Sequence, residues 1–209
     1  VYYRIYAKYD EGADLDTTAG SKSIGWAKRQ AGFRADWFPS TSDQLTLQGD
    51  HTANQGKLLT PQITIPKFLT PRPALGYNGV RSTDADQTDS NVLGRWTRTF
   101  SDKSDMSVQG YYTHTTLYLG AFYEKRDTFD LDLRNRFQLG DRNEIVWGGG
   151  ARESRAHVGG QPPMTIGPGI FLDRITNLFA QDEITIVPER LRWVVGAKLE
   201  RNQQSGTFL

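Results

Sequence analysis

Few residues in this sequence are placed where chemistry could be done. Its three histidines, His51, His114 and His157, are far apart and show none of the spacing of metal ligands, so they read as solvated side chains at the bases of loops. Asp130 and Asp132 sit at i and i+2, the spacing of two acids on one face of a strand. Arg134 and Arg136 continue the same row, and a neutralised ladder of charges accounts for all four better than a pair of catalytic acids does. "GGG" at Gly148–Gly150, followed by "ARESR", lacks the lysine and the helix that a phosphate cradle needs, and reads as a thin strand surface. Ser154 and His157 are the only nucleophile and base close together, and both fall in an expected loop. The residues therefore point away from an enzyme, and they call for no metal and no cofactor.

Composition narrows the class further. A net charge of +1 gives no electrostatic case for nucleic acid. There is no cysteine, which removes disulfides and thiolate metal sites. No apolar run approaches the roughly 20 residues of a membrane-spanning helix. That last observation does not argue for a soluble protein, because the strands of a membrane barrel alternate and average out to polar. Twenty-one glycines and 11% aromatic residues favour an all-β chain. The sequence opens inside an extended run without Met or a secretion signal and stops at "SGTFL", and it is expected to be a fragment of a longer protein.

Nine extended runs appear, eight of them as hairpin partners. "YYRIYAKY" puts Tyr3, Ile5, Ala7 and Tyr9 opposite Arg4 and Lys8. "DTFDLDLRNRFQ" puts Phe129, Leu131, Leu133 and Phe137 opposite Asp130, Asp132, Arg134 and Arg136. "LRWVVGAKLE" puts Leu191, Trp193, Val195, Ala197 and Leu199 opposite Arg192, Gly196, Lys198 and Glu200. Period two of this kind marks strands with one apolar and one polar face. The run before that last one is less clean, since Asp182 shares a face with Leu178, Ala180, Ile184 and Ile186. Tight turns built from Pro, Ser, Asp, Gly and Asn alternate with long polar segments at 10–24, 51–90, 115–125 and 153–173. All nine prolines are expected in turns or loops.

Three features bear on what the apolar face touches. The runs are mostly longer than the five or six residues typical of soluble strands, and close to the roughly 9–11 tilted residues of a bilayer crossing. Short turns at one rim and long loops at the other are the pattern of outer-membrane barrels. Trp37, Phe38, Phe100, Phe137, Trp147 and Trp193 lie near the short turns, and Tyr9, Trp26, Tyr111 and Tyr112 near the long loops. Two such belts suit two membrane interfaces. The opposite face holds charges of both signs, which fits a wet or plugged lumen and not a dry core. The expected fold is an all-β, antiparallel transmembrane β-barrel segment: about nine long meandering strands in an open curved sheet, part of a larger barrel.

The hairpin "ITNLFAQDEITIVPERLRWVVGAKLERN" resembles those of TonB-dependent outer-membrane receptors, and "YYRIYAKYDEG" and "WAKRQAGFRADWFPSTSDQLTLQGD" resemble the barrel of the iron-complex branch of that family. The resemblance implies a 22-strand barrel around an N-terminal plug, of which these residues hold only barrel. It implies a Gram-negative outer membrane with its lipid and lipopolysaccharide, import of a ferric siderophore or similar iron complex, and coupling to the TonB complex through a part not in this sequence. Arg81 and Arg155, in the expected long loops, and Arg152, at the strand end beside one of them, are the candidate contacts to an anionic siderophore, since the planar guanidinium suits carboxylates and catecholates. The plainer reading of these arginines is loop solubility or contact with lipopolysaccharide phosphates. Two other classes stay open: a complete small barrel acting as a pore or adhesin, with first and last strands paired, and a soluble β-sandwich binding module with two facing sheets.

Overall fold

The structure is a computed structural model that describes residues 1–12, 25–64, 76–160, 167, 169–203 and 206–208, without the side chains of 59–64, 76–81 and 208. Among the described residues there is no helix. Ten strands follow one another: β1 (Tyr2–Gly12), β2 (Trp26–Trp37), β3 (Asp43–Thr64), β4 (Gly76–Ser101), β5 (Ser104–Leu119), β6 (Phe122–Leu139), β7 (Asn143–Gly160), β8 (Gly169–Val187), β9 (Leu191–Asn202) and β10 (Gly206–Phe208). Each pairs antiparallel with the next, in one sheet ordered as in the chain, and β1 does not pair with β10. The expected open meander is what forms, with a short tenth strand added. Neither alternative architecture fits: among the described residues there is no second sheet to face the first, and the outermost described strands do not close a small barrel.

This single layer has no conventional core. Among the described residues the only buried hydrophobic one is Ala156, at 1% exposure, while Ile5, Leu131, Leu178, Trp193 and Leu199 all lie open. Cα partners across an antiparallel pair share a face, so the register assigns every row. Leu45, Trp96, Val108, Leu133, Gly149, Leu178 and Leu199 form one continuous row across β3 to β9. Thr46, Arg95, Gln109, Asp132, Gly150, Asn177 and Glu200 form the neighbouring row on the other face. Lateral pairing satisfies the backbone, but nothing in the sheet covers the apolar rows.

The long segments differ from expectation. Most of 51–90 is strand: β3 and β4 run on together as a hairpin, with 65–75 outside the described residues. Pro61, expected in a loop, lies in β3 at a register shift between Pro61 and Ile63, where the irregular ladder tolerates a residue that donates no hydrogen bond. The segment 115–125 is a tight turn, β5 and β6 being joined by Gly120 and Ala121, with Gly120 at φ 60°. Of 153–173, strands claim residues up to Gly160 and from Gly169 onward. The segment 13–24 lies outside the described residues. The three histidines consequently stand within β3, β5 and β7, not at loop bases.

Asp43 shows how a short-turn end is held. Its carboxylate accepts from the Ser40 hydroxyl at 2.7 Å and from Trp96 Nε1 at 3.0 Å. Those hydrogen bonds, Ser40 first, hold its pKa below the ordinary 3.8. A depressed carboxylate contributes stability above its unfolded pKa and loses it as pH falls through the folded value. Amide exchange protection of the 38–48 turn is therefore expected to drop, beyond the change in intrinsic exchange rate, as pH is taken below about 3.8. The Asp43→Asn variant is expected to show no such step; an equal step in the variant would contradict the assignment.

Candidate ligand-facing surface and its opposite face

Ion pairs are distributed differently on the two faces. On the polar face they occur along the strands: Arg34 with Asp36 at 2.8 Å, Arg126 with Glu124 at 2.7 Å, Arg136 with Asp105 at 2.5 Å and with Glu144 at 3.1 Å, Arg152 with Asp130 at 2.6 Å, Arg192 with Glu183 at 2.8 Å, and Lys198 with Glu200 at 2.7 Å. Most of these side chains are partly exposed, and such pairs contribute only about 0–1 kcal/mol each, so they mark a surface that meets water and do not hold the sheet together.

On the apolar face the pairs stand only at the two ends. Arg98 faces Asp43 at 3.6 Å near the short turns, and Arg174 with Glu153 at 2.7 Å and His114 with Asp127 at 2.8 Å lie near the opposite end. Between them run Met106, Val108, Gly110 and Tyr112 on β5, and Leu133, Leu131 and Phe129 on β6. From Asn135 to Asp127 the strand advances about 27 Å at roughly 3.4 Å per residue. Tilted by about 40°, that is roughly 21 Å of height, close to the apolar band of about 25 Å on barrels that cross a bilayer.

Aromatic and polar residues mark both edges of this band. Trp147 Nε1 donates to Asn135 Oδ1 at 3.0 Å at the short-turn edge, and the Tyr112 hydroxyl donates to Asp127 Oδ1 at 2.6 Å at the other. Trp26 and Tyr111, expected in that second belt, face the polar side instead, opposite Gly12 and Asp130. The out-of-place Asp182 does lie on the apolar face, where the Asn143 amide donates to it at 2.6 Å. His51 Nδ1 lies 2.7 Å from Ser90 Oγ on that same face, beyond Tyr112.

The three arginines expected to meet a ligand do not come together. Arg152 lies on the polar face beside Asp130, which is only 8% exposed. Arg155, three residues on, faces the other way, in the row of His114 and Asp127. The backbone of Arg81 pairs with Thr60 in β4, and its side chain lies outside the described residues. Sequence reasoning missed the polar cluster around Arg152, where Ser154 and Thr128 hydroxyls are 2.9 Å apart and Arg126 donates to Ser154 at 3.3 Å. Its signal was the polar alternation of Thr128, Asp130, Arg152 and Ser154, hidden because 153 onward was taken as loop. Gly150 lies beside Asp132 and Asn177 on this face, so "GGG" serves close strand packing, with no cradle formed.

A single antiparallel sheet with one apolar face, one charged face and neighbouring strands in chain order is a piece of β-barrel wall. Among solved structures, the chain is similar to the ferric-catecholate import receptor Fiu from E. coli K12 in its open form, with a TM-score of 0.68 and 12% identity. The match takes in 96% of this chain and 40% of that one, so the chain spans well under half the receptor's length. At that identity the likeness is one of fold. No family model matches the chain, and no curated protein matches it.

Proposed function

We propose that this chain is part of the barrel of an outer-membrane receptor that imports a ferric siderophore or similar iron complex, without chemical conversion, under TonB energisation. The observation that supports it most is the likeness in fold to a ferric-catecholate import receptor over nearly the whole of this chain. The face chemistry agrees: the apolar band is close in height to that of barrels that cross a bilayer, and the polar face has the mixed charge suited to an aqueous lumen. On this reading Arg152, with Arg126 behind it, presents guanidinium groups to an anionic complex entering from the end opposite the short turns, and Arg81 remains a contact in the same role. Arg155, on the hydrocarbon side, is withdrawn from that role. Energy coupling and plug belong to parts of the protein beyond these residues.

Two experiments test the reading. In the full-length protein, Leu131→Arg or Leu133→Arg puts a charge against hydrocarbon at a cost of roughly 2–4 kcal/mol, and the heat-modifiable folded band is expected to fall sharply. Asn177→Arg, beside Glu200 on the polar face, is expected to leave that band unchanged. Equal loss in both sets would overturn the facing. For the ligand, Arg152→Gln is expected to weaken binding of a ferric catecholate roughly tenfold, as loss of a charge-assisted hydrogen bond does. Lys125→Gln, on the other face, is expected to leave binding as it is. No binding of any ferric chelate by the unaltered protein would remove the iron reading.

A further inference from the structure

Ser154 and His157, close together in the sequence, end up on opposite faces of β7. A different hydroxyl and imidazole come together on β5. His114 and Thr116, at i and i+2, share the apolar face, and the two-residue turn between β5 and β6 fixes a register that sets Asp127 directly across from His114. His114 Nδ1 is 2.8 Å from Asp127 Oδ1, and His114 Nε2 is 3.2 Å from Thr116 Oγ1.

The tautomer follows from the partners. An ionised carboxylate only accepts, so the ring proton sits on Nδ1 and Nε2 is left as the acceptor toward which the Thr116 hydroxyl donates. The Tyr112 hydroxyl donates to the same Asp127 oxygen at 2.6 Å and fixes the carboxylate from a second side. Hydroxyl, imidazole and carboxylate in this order activate a weak nucleophile: the ring takes the hydroxyl proton, and the carboxylate holds the ring in the required tautomer.

The surroundings define the substrate. Lys125 is the Cα partner of Thr116 and is exposed, which brings an ammonium within reach of a negative oxygen formed beside Oγ1. Toward the short turns, Tyr112 and Phe129 stand exposed at the edge of the apolar band. On the other side Tyr118 and Tyr123 form a tilted ring pair with centroids 6.4 Å apart. Thr116 and Lys125 lie one pair of residues beyond the level of Asp127, roughly 7 Å along the strand. An acyl chain laid over Phe129 and Leu131 therefore brings its ester carbonyl to Thr116, between two aromatic ledges.

We propose that Thr116, His114 and Asp127 form a hydrolytic site for long-chain acyl esters on the outer face of the barrel wall, an activity separate from import. Thr116 Oγ1 attacks the ester carbonyl carbon as its proton passes to His114 Nε2, and Lys125 meets the negative charge on the carbonyl oxygen. The bond from that carbon to the alcohol oxygen then breaks, and the alcohol leaves with the proton from His114, giving an acyl-Thr116 ester. Water attacks the acyl carbon, His114 takes a proton from it and returns that proton to Thr116 Oγ1, and a carboxylic acid is released. Asp127 positions the imidazole and stays ionised throughout. The inference takes from the proposed function only that the apolar face meets hydrocarbon, and nothing from the import of iron.

The test is hydrolysis of 4-nitrophenyl laurate and 4-nitrophenyl butyrate by the full-length protein folded in detergent. Labelling with a fluorophosphonate, which an activated hydroxyl attacks at phosphorus with loss of fluoride, locates the nucleophile. The laurate is expected to be cleaved in preference to the butyrate, and the label to sit on Thr116. Thr116→Val and His114→Gln are each expected to lower hydrolysis by roughly 10²–10⁴-fold and to abolish labelling there. Asp127→Asn is expected to lower kcat with KM unchanged, and Asp127→Glu to restore part of the loss. Ser90→Ala, which removes the hydroxyl 2.7 Å from His51 in the same row as His114, is expected to leave hydrolysis as it is. Heat-modifiable mobility, read on the same samples, shows which proteins are folded. No hydrolysis by a folded unaltered protein, or hydrolysis that survives Thr116→Val, overturns this site and leaves the receptor reading standing. A chain that never forms a barrel removes both.

Discussion

One constraint governs this molecule: a sheet one layer thick has to satisfy its backbone sideways and give each face its own solvent. Ten strands in chain order meet the first requirement, since every neighbour is the antiparallel partner of the next. The second has no solution within the described residues, where Ala156 alone counts as buried hydrophobic. An uncovered face of leucine, valine and aromatic rings is unfavourable in water and favourable in hydrocarbon. The polar face makes the opposite demand, because its guanidinium and carboxylate groups would be costly in a dry interior.

The ion pairs translate that constraint into dimensions. Ion pairs on the polar face run the length of the strands, while those on the apolar face among the described residues are Arg98 with Asp43 at one end and Arg174 with Glu153 and His114 with Asp127 at the other. The strands do not stop at those levels. β3 and β4 continue to Thr64 and from Gly76, well past the residues that a bilayer crossing of roughly 9–11 requires. From His51 to Lys57 both faces of this hairpin are mostly polar, so that stretch is suited to water on both sides.

The period-two runs made the inner part of the fold legible, since alternation is a direct imprint of two solvents. The outer part was not legible for the same reason. In His51–Lys57 and Thr113–Leu119 both faces are wetted, alternation fades, and the only force extending the strands is lateral hydrogen bonding with a neighbour, which one strand's sequence does not display. Asp182 broke the pattern without breaking the strand, because Asn143 across the pair supplies a donor. For the candidate site the sequence held more than was taken from it. Arg152 and Arg155 are three apart, so in any extended strand they face opposite ways. Taking residues from 153 onward as loop concealed that for Arg155. The hydroxyl, imidazole and carboxylate on the outer face were not legible at all, since they require β5 and β6 to be side by side.

The most direct test of the central claim uses the absence of cysteine from these residues, which makes a single introduced label unique within them. Spin labels placed one at a time at positions 128–134 of β6, in protein inserted in membranes, are read for collision with oxygen, which concentrates in hydrocarbon, and with a water-soluble nickel chelate. High oxygen access at 129, 131 and 133, with high nickel access at 128, 130, 132 and 134, is the result this account predicts. Access without a period of two, or odd positions shielded from both reagents as in a packed interior, would contradict it.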